Sequence, residues 1–299
     1  MKILLFGKNG QVGWELQRAL APVGDVVALG RGTEGGFCGD LANPAGIAAT
    51  VNAVRPDVIV NAAAYTAVDK AEAEPDEARR INADGPALLA NAAAAVNALF
   101  VHYSTDYVFD GSGASPWRED DRTNPLSVYG RTKLEGERAM RQAGCAYLIF
   151  RTSWVYAARG NNFAKTMLRL AQERESLSVI DDQIGAPTGA DLIADVTAHA
   201  IVRAFQEPNL SGVYHLAAGG ETSWHSYARF VLEHAARAGV PLKASPDNIT
   251  PIPSTAYSTA AKRPLNSRLQ TSLLRRSFAL SLPSWQDGVS RMLTEILGK

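Results

Sequence analysis

An α/β fold, a doubly wound parallel sheet with a smaller C-terminal substrate-binding region, is what this sequence predicts, on three observations. Short apolar runs alternate with helix-length stretches through the first half of the chain, the pattern of βαβ units with right-handed crossovers. The first run leads through a glycine cluster straight into a helical pattern. After about residue 155 the regularity gives way to proline-rich loops mixed with helical stretches. The expected division is residues 1–155 as mainly a dinucleotide-binding domain of Rossmann type. Residues 156–299 are then mainly a substrate-binding region, with some segments returning to the sheet.

Strands are predicted at 3–6, 26–29, 58–61, 100–104, 146–151 and 177–180, each a short apolar run. Helices are predicted at 14–20, over an alanine-rich 77–96, at 127–142, and in the second half at 190–205, 224–238 and 285–297. The bulk numbers fit a globular protein: 299 residues, 46% hydrophobic and 20% charged. Thirty basic residues balance thirty acidic ones, so no net field attracts nucleic acid. Cys38 and Cys145 are too few for a disulfide framework and lie in no metal-ligand spacing. The first apolar run is too short for a signal peptide, and nothing approaches a membrane span. The expectation is a cytoplasmic protein with no nucleic-acid or membrane partner.

Three motifs carry chemistry. Gly7, Gly10 and Gly13 stand between the first strand and the first helix. There glycines permit close backbone approach, and the free N–H groups of the first helical turn point at a pyrophosphate. The second motif is 100–106, a buried strand ending in Ser104-Thr105-Asp106, and ligands of open α/β sheets sit beyond strand carboxyl ends. Ser104 or Thr105 could donate to a carbonyl oxygen there. The third is Tyr129 with Lys133, four residues apart and so on one helical face. An ammonium beside a phenol favours the phenolate. Lowering a tyrosine pKa from about 10 by roughly 3 units takes about 4 kcal/mol, which a charge about 4 Å away supplies at an effective dielectric of ~20. The pair suits proton transfer by Tyr129.

These motifs resemble the extended short-chain dehydrogenase/reductase family, and within it the dTDP-4-dehydrorhamnose reductases. The resemblance runs on through 61–69, 103–109, Arg151 to Tyr156, Gly185 to Thr188, Tyr214-His215-Leu216 and 263–269, covering essentially the whole chain. It implies reduction of a 4-keto dTDP-6-deoxyhexose to dTDP-L-rhamnose, for cell-surface polysaccharide, with NADPH or possible use of NADH. It further implies Tyr129 as proton donor, Lys133 holding the nicotinamide ribose and Thr105 polarising the carbonyl. Gly7, Gly10, Gln11 and Val12 would cradle the cofactor pyrophosphate, Asp40 and Leu41 sit by the adenine, and Ala63, Ala64, Thr66 and Tyr103 line the nicotinamide side. Val68, Asp106 and Trp154 would meet the sugar nucleotide, and Arg263, Asn266 or Arg268 its pyrophosphate, since an arginine fork matches phosphate oxygens. Some members hold Mg²⁺ between the protomers of a homodimer through three carboxylates. The matching positions are Glu15, Asp191 and Glu295, with aspartate at 191 where the pattern has glutamate.

One departure bears on the cofactor. Where members that use NADH often carry an acidic ribose anchor, this chain has Gly30 and then Arg31. A guanidinium suits a 2′-phosphate, so NADPH is the expected cofactor. A dehydratase of the same fold would need Asp-Glu after the strand-end threonine, whereas this chain has Asp106-Tyr107. An epimerase would favour the missing acidic anchor. A non-catalytic NADP-binding regulatory subunit would not need Thr105, Tyr129 and Lys133 together.

Overall fold

The computed structural model describes residues 1–298. Six parallel strands form the central sheet, in the order Gly212–His215, Tyr147–Thr152, Leu99–Thr105, Val58–Asn61, Lys2–Phe6, Asp25–Leu29. Such strands read as unbroken apolar runs because helices cover both faces. Leu99–Thr105 is buried at every position, as are Ile3 to Phe6. Lys2–Phe6 pairs with Asp25–Leu29 on one side and Val58–Asn61 on the other. The chain direction across the sheet reverses at that strand, and the crevice beyond the carboxyl ends opens there.

One apolar layer joins the sheet to Gln11–Leu20 and Ala190–Gln206 through Leu5, Leu16, Leu20, Ile193 and Ile201. The other joins it to Pro44–Val54 and Gly85–Val96 through Phe6, Ile47, Val51, Leu89 and Phe100. A third core packs Phe163–Glu173, Trp224–Arg237 and Trp285–Leu297 around Tyr227. Those three helices start on side-chain caps from Asn162, Ser223 and Ser284, each accepting a first-turn N–H. Among the described residues no helix is long and apolar enough to cross a membrane.

Three elements differ from the sequence expectation. The 177–180 strand forms, but pairs with Ile249–Ile252 in a separate two-stranded sheet. The sixth central strand is Gly212–His215, too short and polar to stand out. The single helix expected at 77–96 is three pieces: Pro75–Arg79, a π turn at Arg80–Asp84, and Gly85–Val96. Pro86 has no N–H for the carbonyl four residues back, which widens the turn. In that turn the Asn82 side-chain amide bridges Tyr65, accepting from its N–H at 2.9 Å and donating to its carbonyl at 3.0 Å. That pins the loop after Val58–Asn61 at the crevice.

Candidate active site

The glycine turn is built as the motif requires. Gly7 has φ +85°, and a Cβ there would lie 2.5 Å from the Ala63 nitrogen. At Gly13 a Cβ would lie 2.0 Å from the Gly7 carbonyl oxygen. Helix Gln11–Leu20 starts from Gly10 with no side-chain cap, leaving the N–H groups of Gln11 and Val12 without one. Gln11 donates to the Asn161 carbonyl at 3.3 Å, while its buried Oε1 has no partner among the described residues. Ala63 is half-buried, and Ala64 and Thr66 are exposed, along the same mouth. Leu41 is buried in the core beneath the sheet, and Asp40 caps the turn at Ala42.

Beyond the second strand, the exposed Arg31 side chain lies 3.5 Å from Glu77. One residue the sequence reading passed over comes close. Glu34, from the Thr33–Glu34 and Phe37–Cys38 hairpin, pairs with Lys8, and a Cβ at residue 30 would lie 2.9 Å from its carboxylate. An acid therefore reaches this corner from a hairpin rather than from position 30. Only tertiary pairing brings it there.

Thr105 and Tyr129 meet at the end of the Leu99–Thr105 strand, and Lys133 follows Tyr129 one helical turn on. Ser127 caps helix Val128–Gln142 by accepting from the Gly130 N–H at 3.2 Å. Gly130 lets the helix ride over the Tyr107 carbonyl, which a Cβ would meet at 2.2 Å. Of the two hydroxyls left open by the sequence, Ser104 is committed to Glu137. Thr105 lies beside Tyr129 and donates to Asp106 Oδ1 at 3.0 Å. Burial pushes the Tyr129 phenol up to about 12, the Thr105 hydroxyl working against that shift and the Asp106 charge with it. This corrects the expected lowering by Lys133. The lysine is turned away, donating to the Tyr103 carbonyl at 2.5 Å and facing His102 Nε2 at 3.1 Å. A phenol at about 12 remains protonated at neutral pH, the form a proton donor needs. Tyr103 also differs from expectation, since its ring lies in the core with its hydroxyl 2.8 Å from Thr197.

Asp106 is 2% exposed, burial raises its carboxyl to about 6 against the pull of the nearby Ser267 and Thr105 hydroxyls, and its Oδ2 makes no well-formed hydrogen bond among the described residues. A buried carboxylate oxygen without a donor marks a place for a ligand hydroxyl. Trp154 stands at φ +48°, a left-handed conformation costly for a bulky residue. Its ring stacks on Trp224 at 3.6 Å and abuts Gly185, where a Cβ would lie 2.7 Å away. Trp224 is a site candidate the sequence reading missed, hidden as one more aromatic of an amphipathic helix. Val68 opens the short helix Val68–Ala73, whose Asp69 takes Arg263 in a two-point pair at 3.1 and 2.6 Å.

The other C-terminal positions divide. Arg268 pairs with Glu221 at 2.7 Å. Asn266, 1% exposed, donates to the Ser115 carbonyl at 2.8 Å and accepts from Arg268 at 3.2 Å, a structural clasp on the 112–115 loop. The three metal candidates Glu15, Asp191 and Glu295 do line one small cavity, but Arg291 lines it too, 3.4 Å from Asp191. The short Asp191 side chain folds back to accept from the Leu192 N–H at 2.9 Å, and Glu15 accepts from Arg18 at 3.3 Å. Among the described residues no group of three such side chains is placed to hold a metal ion. The expected Mg²⁺ site is corrected accordingly: these residues do not fit the ion, and the positive charge beside Asp191 is an arginine.

A parallel sheet with a glycine turn at its switch point, and a strand-end threonine facing a Tyr/Lys helix, defines an oxidoreductase of the short-chain dehydrogenase/reductase class. The family model described as RmlD substrate binding domain matches residues 1–297. The dTDP-4-dehydrorhamnose reductase of Shigella flexneri is 60% identical over 297 residues, 99% of this chain and 98% of that one. A crystal structure of the Clostridium acetobutylicum dTDP-4-dehydrorhamnose reductase aligns over 100% of both chains, with TM-score 0.88 and 34% identity. The Bacillus anthracis enzyme, solved in complex with NADP, aligns over 98% of this chain and 99% of its own, with TM-score 0.87 and 35% identity. This chain belongs to the dTDP-4-dehydrorhamnose reductase family.

Proposed function

We propose that this protein reduces the 4-keto group of dTDP-4-dehydro-6-deoxy-L-mannose to dTDP-L-rhamnose, with NADPH as the hydride donor. The observation that carries the reading is the buried Tyr129 phenol beside Thr105 and Asp106 at the strand end, with Lys133 one helical turn on. NADPH, when bound over Gly7, Gly10, Gln11 and Val12, supplies a hydride to C4. Tyr129 gives its phenolic proton to O4, and the single Thr105 hydroxyl proton, turned from Asp106 Oδ1 to the substrate, makes a hydrogen bond to the same oxygen, so ketone, hydride and proton become the alcohol. Trp154 and Trp224 offer an aromatic wall to the sugar nucleotide. The test is NADPH oxidation with the 4-keto-6-deoxyhexose nucleotide and its C5 epimer, with the product identified by NMR. Cofactor oxidation with neither sugar would overturn the reading.

Asp106 gives the reaction a pH dependence. Its folded pKa is raised, so folding favours the protonated carboxyl, and its ionisation at neutral pH costs stability that is recovered as pH falls through about 6. The ionised form accepts a sugar hydroxyl more strongly than the protonated one. The KM for the sugar nucleotide should therefore rise below about pH 6 while that for NADPH stays flat. Asp106→Asn should abolish the inflection. An identical acid limb in the variant would remove Asp106 from substrate binding.

For the cofactor, a charge-assisted bond from Arg31 to the 2′-phosphate would contribute ~1.5–3 kcal/mol if fully formed. Exposure reduces that considerably, so the preference in kcat/KM should be about tenfold for NADPH over NADH. Arg31→Ala should bring the two close to parity. Equal use of both cofactors by the unaltered protein would remove the argument. Arg263→Ala should raise the KM for the sugar nucleotide far more than that for NADPH. Equal effects on both would mean that the Asp69 pair only braces the fold. A homodimer in the cytoplasm is proposed with this activity. The free thiols Cys38 and Cys145 suit a reducing compartment, and the exposed Val202 and Phe205 offer an apolar strip on Ala190–Gln206. A monomeric mass in sedimentation would dismiss the dimer.

A further inference from the structure

Lys133 is 2% exposed, and behind it stands a buried chain of polar groups that the reaction as described does not use. Its Nζ lies 3.1 Å from His102 Nε2. The other ring nitrogen, Nδ1, lies 3.1 Å from Asn61 Nδ2 on the neighbouring strand, where the two residues are register partners. His102 and Asn61 are 1% and 0% exposed, so water does not settle their roles. The direction of the chain follows from its far end. The Ala63 N–H donates to Asn61 Oδ1 at 3.0 Å, and turning the amide over would set two N–H groups against each other. Asn61 therefore presents its NH₂ to His102, and Nδ1 must accept.

A neutral imidazole carries one proton. With Nδ1 accepting, that proton is on Nε2 and points at Lys133. An ammonium has no lone pair to receive it, whereas a neutral amine accepts from Nε2–H and still donates to the Tyr103 carbonyl. The doubly protonated ring is disfavoured: burial first, then the Lys133 charge, holds the His102 pKa well below its ordinary value, and only the Asn61 backbone carbonyl pulls the other way. We propose that His102 is a positioning residue which, oriented by Asn61, donates to Lys133 and favours its neutral amine over the ammonium in the cofactor-free protein.

The groups facing Lys133 agree with that direction. Tyr129 and Glu137 lie one turn away on its own helix. Glu137 favours the ammonium, but both its oxygens are taken by Arg151 from the adjoining strand, at 3.0 and 2.7 Å, and one also by Ser104. His102 and the Tyr103 carbonyl face it from the Leu99–Thr105 strand. Burial brings the Lys133 amine down to about 8 against the pull of Glu137. Binding an anionic cofactor favours the ammonium, so NADPH affinity should fall as pH rises above about 8.

The test needs no turnover, so it stands apart from the assigned reaction, on which only its cofactor arm rests. The protein has five histidines. In ¹⁵N-histidine-labelled, cofactor-free protein at pH 9, above the Lys133 value of about 8, long-range ¹H–¹⁵N spectra should show His102 as the Nε2–H tautomer. The Nδ1–H tautomer would overturn the proposal, because Lys133 would then be the donor. Asn61→Asp offers only acceptors, which should move the ring proton to Nδ1 and let Nε2 accept from the ammonium. NADPH binding followed by fluorescence should then be up to about tenfold tighter than wild type at pH 9, one pKa unit being tenfold, and unchanged at pH 7. A ratio independent of pH would overturn the charge-setting role. If Asn61→Asp fails to fold, the wild-type tautomer alone decides.

Discussion

Tyr129→Phe is expected to lower kcat by about 10²–10⁴-fold, the usual contribution of a positioned general acid, while NADPH binds as before. The substitution removes one oxygen. Its ring neighbour, Tyr107, packs edge-on at 5.5 Å and keeps its contact. Thr105 remains anchored by Asp106 and by the Tyr107 N–H, which donates to it at 3.2 Å, so the site does not collapse. Equal falls in kcat and kcat/KM would mark an interaction made only in the transition state. Stopped-flow NADPH oxidation at saturating sugar nucleotide checks this directly. Retention of more than about a tenth of the rate would mean another group, or water, delivers the proton.

The second large effect is on stability. Glu137→Leu should destabilise the fold by roughly 3–5 kcal/mol, because one partner of a buried ion pair is removed and the other is left uncompensated. Arg151 and Glu137 are 4% and 1% exposed, joined at two points, and the Ser104 hydroxyl adds a third bond to the same carboxylate. Arg151 retains the Glu119 carbonyl at 3.2 Å, the half-buried Glu119 charge and the face of Phe109. Replacing both, as Glu137→Leu with Arg151→Met, should recover most of the loss, since a buried pair itself contributes little net stability. Urea unfolding of the two single variants and the double variant measures the coupling. Near-additive losses would show that the pair acts as two independent packing residues.

Four of the five strands that were legible are inner ones, buried on both faces and so unbroken apolar runs; Asp25–Leu29, at the sheet edge and only partly buried, keeps an apolar run as well. Gly212–His215 was not legible, because an edge strand of four residues with a tyrosine and a histidine has no pattern of its own. The π turn at Arg80–Asp84 is hidden in an alanine-rich stretch whose composition favours a continuous helix, and only Pro86 hints at the break.

Tyr129 and Lys133 were marked by their spacing, since four residues on a helix fix a common face, together with the glycine turn and the hydroxyls that end an apolar strand. Likewise Gly7 and Gly13 follow from what a tight turn demands of a backbone. The choice of Thr105 over Ser104 is different. Glu137 claims Ser104 across the interior, a contact between residues 33 positions apart. In the same way Glu34 reaches Gly30 by a hairpin, Arg291 approaches Asp191 between two C-terminal helices, and Trp224 stacks on Trp154. Local sequence determined which groups were available and on which element each would sit. Burial and long-range hydrogen bonding decided their charge states and partners, turning Lys133 from its assumed place beside Tyr129 toward His102 and raising the phenol instead of lowering it. Those are properties of a desolvated interior, which exists only once distant segments have packed.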